Sequence, residues 1–240
     1  MLSKNEIKLI TSLQQKKYRM RSGFFLAEGV KVVNECINSS LNIQNIYALD
    51  SYQLPKDNLP IQYITEQELK KISTLKTPNE VIAVVEIPEE QKINNKGVVM
   101  ALDGVRDPGN LGTIIRLCDW FGVETLICSN DTVDCYNPKV IQATMGSIAR
   151  VKIHYLELAD FLKQSKMPVY YTTLNGDDIY KTELPKEAII VMGSESHGIK
   201  EELLAIKHNS LTIPQKGEQS NIESLNVATA AAIVLNEFCR

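Results

Sequence analysis

Three short segments concentrate the side chains with chemical use. Ala101–Gly122 (ALDGVRDPGNLGTIIRLCDWFG) carries Asn110, Gly112 and Arg116. Ala188–Ile199 (AIIVMGSESHGI) carries Gly193, Glu195 and Gly198, and Leu211–Phe238 (LTIPQKGEQSNIESLNVATAAAIVLNEF) carries Ser224 and Asn226. Gly112 and Arg116 are four residues apart, so they share one helix face. At 3.6 residues per turn, Arg116 lies about 200° around from Ile114 and points away from the apolar face. A guanidinium beside bare glycine backbone near a helix N-terminus suits a phosphate. Taken alone, a surface salt bridge to Asp119 or Glu124 is the simpler explanation. Glu195 has two uses, holding polar hydrogens or capping the next helix, while Gly193 and Gly198 permit tight turns and close approach to backbone. Ser224 and Asn226 stand at a helix start, and Ala228, Ala230, Ala231 and Ala232 let that helix pack closely, which by itself describes a buried helix with a polar cap. Ser220 and Glu223 also fit a capping box that starts the helix a turn earlier.

Several chemistries lack their motifs. No GxGxxG follows a strand, and neither GxxxxGK[ST] nor GxSxG occurs. No carboxylate pair stands out. His154 and His208 are far from His197 in sequence, without metal-ligand spacing, so no metal is expected. The five cysteines are odd in number, widely spaced and without a CxxC, which suggests reduced thiols in a cytosolic protein.

The elements that must position these residues follow from the pattern. Ile7, Ile10 and Leu13 predict a helix over Lys4–Tyr18, then strand Phe24–Glu28 and a helix from Gly29. Strands at Ile43–Leu49, Gln62–Thr65 and Val81–Glu86, with helix Glu66–Ile72, complete a small α/β layer domain, residues 1–87. The polar stretch 88–97, PEEQKINNKG, reads as a linker. The pattern restarts over 98–240. VVMALDG is an apolar run of the kind buried on both faces of a parallel sheet, and Asn110 is a favourable N-cap for the helix that ends at Gly122. Further strands are expected at 125–128, 149–155, 169–173 and 188–192, and helices at 138–145, 158–165, 200–205 and about 222–238. All three chemical loops then stand at the carboxyl ends of strands, where α/β proteins build ligand crevices.

The bulk numbers are those of a globular α/β chain: 240 residues, 44% hydrophobic, 23% charged and a net charge of -3. No apolar stretch approaches the length of a membrane span, and the charged start, MLSKNEIKLI, is unlike a signal peptide. Residues 1–21 hold Lys4, Lys8, Lys16, Lys17, Arg19 and Arg21 against Glu6 alone, leaving the rest of the chain acidic. A basic end on an acidic body suggests a local anionic partner, or simply a solvated helix face.

The combination of loops is more specific than its pieces. NLGTIIR resembles the first motif, N-x-G-x-I-x-R, of the SpoU (TrmH-type) RNA 2′-O-ribose methyltransferases of the SPOUT superfamily. GSESHG resembles the second motif, G-x-E-x-x-G, and IPQKG with SLNVATAAAI the third. FFLAEGVKVVNECI is similar to the L30e-like substrate-binding domain often attached to these enzymes.

The resemblance implies a mostly parallel α/β domain with a C-terminal deep trefoil knot, an exception to the rule that chains avoid knots. It also implies a homodimer, S-adenosylmethionine as cofactor and RNA as partner, most directly 23S-type ribosomal RNA. Transfer RNA, or a non-catalytic assembly role on the same fold, are the competing readings. Gly193, Ile213 and Leu225, with Ser224, Thr173 and Leu174, would line the cofactor pocket. Asn110 and Arg116 would face the ribose and its phosphate, with Glu195 holding the second loop against one of them and Ser224 and Asn226 completing the site. Lys16, Lys17, Arg19 and Arg21, with Arg116, are the candidate RNA contacts. Arginine stays protonated, so Arg116 is read as gripping the phosphate and stabilising the developing alkoxide, the proton leaving through a phosphate oxygen or a transiently neutral guanidine. Three positions depart from the family pattern: Gln215 replaces the usual methionine, the stretch EQSNIE between Gly217 and Ser224 is longer, and Ala228 stands where serine is common.

Overall fold

The computed structural model describes residues 1–56, 58–217 and 224–240. The first elements along the chain are helices α1 (Lys4–Ser12) and α2 (Lys16–Ser22), strand β1 (Phe24–Glu28), helix α3 (Val30–Ile37), strands β2 (Ile43–Ala48) and β3 (Ile61–Tyr63), helix α4 (Glu66–Ile72) and strand β4 (Val81–Glu86). Then come β5 (Val98–Asp103), α5 (Pro108–Trp120), β6 (Thr125–Cys128), α6 (Pro138–Thr144), β7 (Lys152–Tyr155), α7 (Leu158–Gln164), β8 (Val169–Asp178), β9 (Ala188–Gly193), α8 (Glu201–Leu204), β10 (Asn209–Thr212) and α9 (Val227–Cys239). They fall into two compact units: Met1–Glu90 with Asp134–Arg150, and Gln91–Val133 with Val151–Arg240. The segment Asp134–Arg150, within the 98–240 span of the sequence reading, thus packs with the N-terminal unit. Among the described residues no helix is long and apolar enough to cross a membrane.

The N-terminal unit holds a four-stranded sheet in the order β1-β4-β2-β3, with β2 and β3 parallel and the other pairs antiparallel. Its two capping boxes, Ser3/Glu6 and Thr65/Glu68, start α1 and α4. The single helix expected over Lys4–Tyr18 is instead two. The polar run from Gln14 to Lys17 has nothing to bury, so the chain turns after Leu13. The Leu13 carbonyl accepts from the Arg19 Nη1 at 2.8 Å. Arg19 is 2% exposed and pairs with Asp134. It therefore leaves the set of candidate RNA contacts: its charge is taken up inside the unit, where a buried ion needs its partner. Lys16, Lys17 and Arg21 remain exposed on α2.

The C-terminal unit holds a six-stranded parallel sheet in the order β10-β8-β9-β5-β6-β7. Its strands β5 and β9 are buried almost throughout, as expected for a sheet covered on both faces. The chain runs outward through β5, β6 and β7, and later places β8 and β9 on the other side of β5. The strand order therefore reverses beside β5, and the loops after β5 and β9 flank that switch point. Strand β8 is longer than expected, and β10 (Asn209–Thr212) adds an edge. Between them the register jumps: Tyr171 pairs with Ser210, and Asp177 with Leu211. Residues 172–176 of β8 are thereby thrown out of the ladder.

Candidate active site

Helix α5 begins one turn before Asn110. Asp107 is the N-cap, its side chain accepting from the Asn110 backbone N–H at 2.8 Å, and Pro108 occupies the first turn. The assignment of Asn110 as N-cap is corrected accordingly. A proline with its fixed φ suits the first helical position, and an acceptor three residues before Asn110 satisfies that N–H. Asn110 keeps its side-chain amide for other partners. Its Nδ2 donates to Glu195 Oε1 at 2.5 Å, and its Oδ1 accepts from Asn226 Nδ2 at 3.0 Å. Asn226 Oδ1 in turn caps α9, accepting from the backbone N–H groups of Ala228 and Thr229 at 3.0 and 3.2 Å. Three loops far apart in sequence are joined by one chain of side-chain bonds, Glu195–Asn110–Asn226. Helix α9 accordingly starts at Val227, later than expected. The candidate capping box of Ser220 and Glu223, and the long stretch Glu218–Glu223, lie outside the described residues.

The loop after β9 closes on itself. Ser194 and Gly198 exchange both backbone bonds at 3.0 Å. Gly198 has φ +66°, which glycine adopts without strain. A Cβ on Gly193 would collide with the Gly198 carbonyl and the Ile199 nitrogen, so this position must be bare.

Beside that loop is a cavity of about 510 Å³, within the range of small-molecule sites. The six residues named for a cofactor pocket, Thr173, Leu174, Gly193, Ile213, Ser224 and Leu225, all line it, as does Glu195. Thr173 and Leu174 reach it because β8 leaves the ladder there. Val227, Ala230 and Val234 supply a wall from α9. The Thr173 hydroxyl is buried without a hydrogen-bond partner among the described residues. Such a group costs free energy until something bonds it.

Arg116 is exposed on α5 and does not line the cavity. Glu124, one of its suggested salt-bridge partners, instead lies 3.8 Å from Lys152. Gly112 is buried, which corrects its reading as open backbone beside Arg116; it serves the inner face of α5, which packs against α9. Among the described residues, no group of three His, Cys, Asp or Glu side chains is placed to hold a metal ion.

A family model for the SpoU rRNA methylase family matches residues 97–236. The chain belongs to this family. A second model, for the MRM3-like substrate binding domain, matches residues 4–83. The 23S rRNA (guanosine(2553)-2′-O)-methyltransferase RlmP of Bacillus subtilis is 32% identical over 93% of this chain and 91% of its own length. A solved structure assigned to the TrmH family of RNA methyltransferases, from Porphyromonas gingivalis, superposes with a TM-score of 0.90 at 38% identity over 99% of this chain and 98% of that one. The AdoMet-bound rRNA methyltransferase of Sinorhizobium meliloti superposes at 0.85 with 29% identity, over 99% and 95%. The three loops joined through Asn110 all lie within the residues that the family model matches.

The sequence reading missed a charged group behind the second loop. Asp103, Asp131 and Lys200 carry no motif and no periodicity. The only available signal was an acid ending the apolar run of β5, at the carboxyl edge where sites form.

Proposed function

We propose that this protein transfers a methyl group from S-adenosylmethionine to a ribose 2′-hydroxyl of RNA, most directly 23S-type ribosomal RNA. The observation that carries this reading is the Glu195–Asn110–Asn226 chain set at the rim of the cavity. Family membership and the named activity of the Bacillus subtilis relative support it. The cavity residues fit the cofactor. Ile213, Leu225 and Val234 offer apolar surface, backbone beside Gly193 is open to approach, and the Thr173 hydroxyl lacks a partner. S-adenosylmethionine, when bound, supplies an electrophilic methyl group on sulfur.

The protein's own groups do the rest. Displacement at a methyl is in-line, so holding the 2′-oxygen in position contributes much of the rate. Asn110 and Asn226 present amides to the ribose, and Ser224 stands at the cavity edge. Arg116 grips the adjoining phosphate and stabilises the charge growing on the 2′-oxygen. As the 2′-oxygen is methylated, its hydroxyl proton would leave through a phosphate oxygen or a transiently neutral guanidine on Arg116.

On the same reading, residues 98–240 are the catalytic domain and carry the family's trefoil knot, while residues 1–87 hold the RNA. The protein acts as a homodimer in the cytoplasm. Lys16, Lys17 and Arg21 are its exposed phosphate contacts on α2. Neutralising these three is expected to weaken RNA binding and flatten its salt dependence while leaving cofactor affinity unchanged. Filter binding across a salt series checks this, and an unchanged salt slope would refute it.

The deciding experiment supplies labelled S-adenosylmethionine and total RNA from a strain lacking the gene, then maps 2′-O-methyl sites. Label at one ribose of ribosomal RNA is expected. Label in transfer RNA would move the substrate assignment. Cofactor binding without any transfer would favour an assembly role.

A further inference from the structure

The charged group behind the second loop has no part in the chemistry above. Asp103, at the end of β5, is 1% exposed. It stands in register with Gly193, where the loop begins. Its Oδ2 accepts the backbone N–H of Lys200, just past the loop's end, at 2.8 Å. The residue paired with the loop's first end therefore holds its far end through a buried carboxylate. The Lys200 ammonium lies 3.1 Å from Asp103 Oδ1 and 3.0 Å from Asp131 Oδ1, bridging the carboxyl ends of β5 and β6. Asp131 is fixed in turn: Ser129 donates to it at 2.7 Å, and the Gly104 N–H donates to Ser129 Oγ at 2.8 Å. Arg106 is 3.4 Å away on the solvent side.

We infer that Lys200 and Asp103 are positioning residues, which clamp the Gly193–Gly198 loop to the β5–α5 turn and so set Glu195 against Asn110 and the loop against the cavity. The physical need is clear. The loop holds itself closed with a single pair of backbone bonds, and Glu195 is exposed, so neither fixes the loop to the sheet. A buried carboxylate with a charge-assisted backbone bond and an ammonium does. The charge state agrees. Burial alone would raise Asp131, but hydrogen bonds from Ser129 and Lys200 outweigh it and hold the carboxyl at about 2. Burial would likewise lower Lys200, yet its bonds to Asp131 and Asp103 raise it above its ordinary value. Asp131 and Lys200 are therefore both ionised across the working pH range.

The cofactor part of this inference rests on the proposed function; the loop anchoring does not. The test compares wild type, Lys200→Met, Lys200→Arg and Asp103→Asn by titration with S-adenosylmethionine and by amide hydrogen exchange. Lys200→Met alters a half-exposed side chain, so it folds even if Asp103→Asn does not. It is expected to bind cofactor about tenfold more weakly and to speed exchange at residues 194–199 about tenfold, with β5 and α5 unchanged. Lys200→Arg restores both. Unaltered affinity and exchange in Lys200→Met would overturn the inference, as would faster exchange spread over the whole unit, which marks general destabilisation. If wild type binds no S-adenosylmethionine, the function reading fails, and loop exchange alone decides the clamp.

Discussion

Replacing Arg116 with lysine is expected to cut methyl transfer by about a hundredfold or more, the scale of losing one transition-state donor. Lysine keeps the charge but not the planar fork that holds a phosphate and an alkoxide together. Because Arg116 stands outside the cavity, S-adenosylmethionine should bind Arg116→Lys and Arg116→Ala as it binds wild type. Single-turnover transfer, with calorimetric titration of the cofactor, separates the two effects. Turnover near the wild-type value in Arg116→Lys would sink the phosphate-grip role.

The second large effect is expected at Gly193. An alanine there drives its Cβ into the Gly198 carbonyl and the Ile199 nitrogen, which are backbone atoms with no rotamer to turn away. Overpacking of this kind costs about 1–3 kcal/mol. If the loop opens to relieve it, cofactor affinity falls by roughly 5- to 150-fold. Titration gives the affinity and thermal unfolding shows whether the fold carries the strain instead. Wild-type affinity at an unchanged Tm would mean that the loop shifts freely and that the bare backbone at Gly193 is dispensable.

Much of this architecture was legible because local rules and tertiary contacts agree. The buried runs of β5 and β9, the short helix α4 and the glycine past the end of α5 each depend on near neighbours in the chain. Where tertiary contacts compete, local reading failed. Asn110 is a good N-cap by type, but Asp107 and Pro108 start the helix earlier and leave its amide for Glu195 and Asn226. Arg19 belongs to a basic run by composition, yet Asp134, far along the chain, draws it into the interior. The helix expected over Lys4–Tyr18 breaks after Leu13, where the polar run Gln14–Lys17 has nothing to bury.

By itself, then, the sequence determined the α/β class, the three loops and the family motifs, since these rest on residue type and short spacing. Only the tertiary structure decided which side chains meet. The Glu195–Asn110–Asn226 chain spans separations of 85 and 116 residues. The displacement of residues 172–176 toward the cavity depends on a register jump against β10. The Asp103–Lys200–Asp131 clamp exists only because parallel strands bring their carboxyl ends to one edge of the sheet. Such contacts are set by the strand order, which joins residues far apart in the chain.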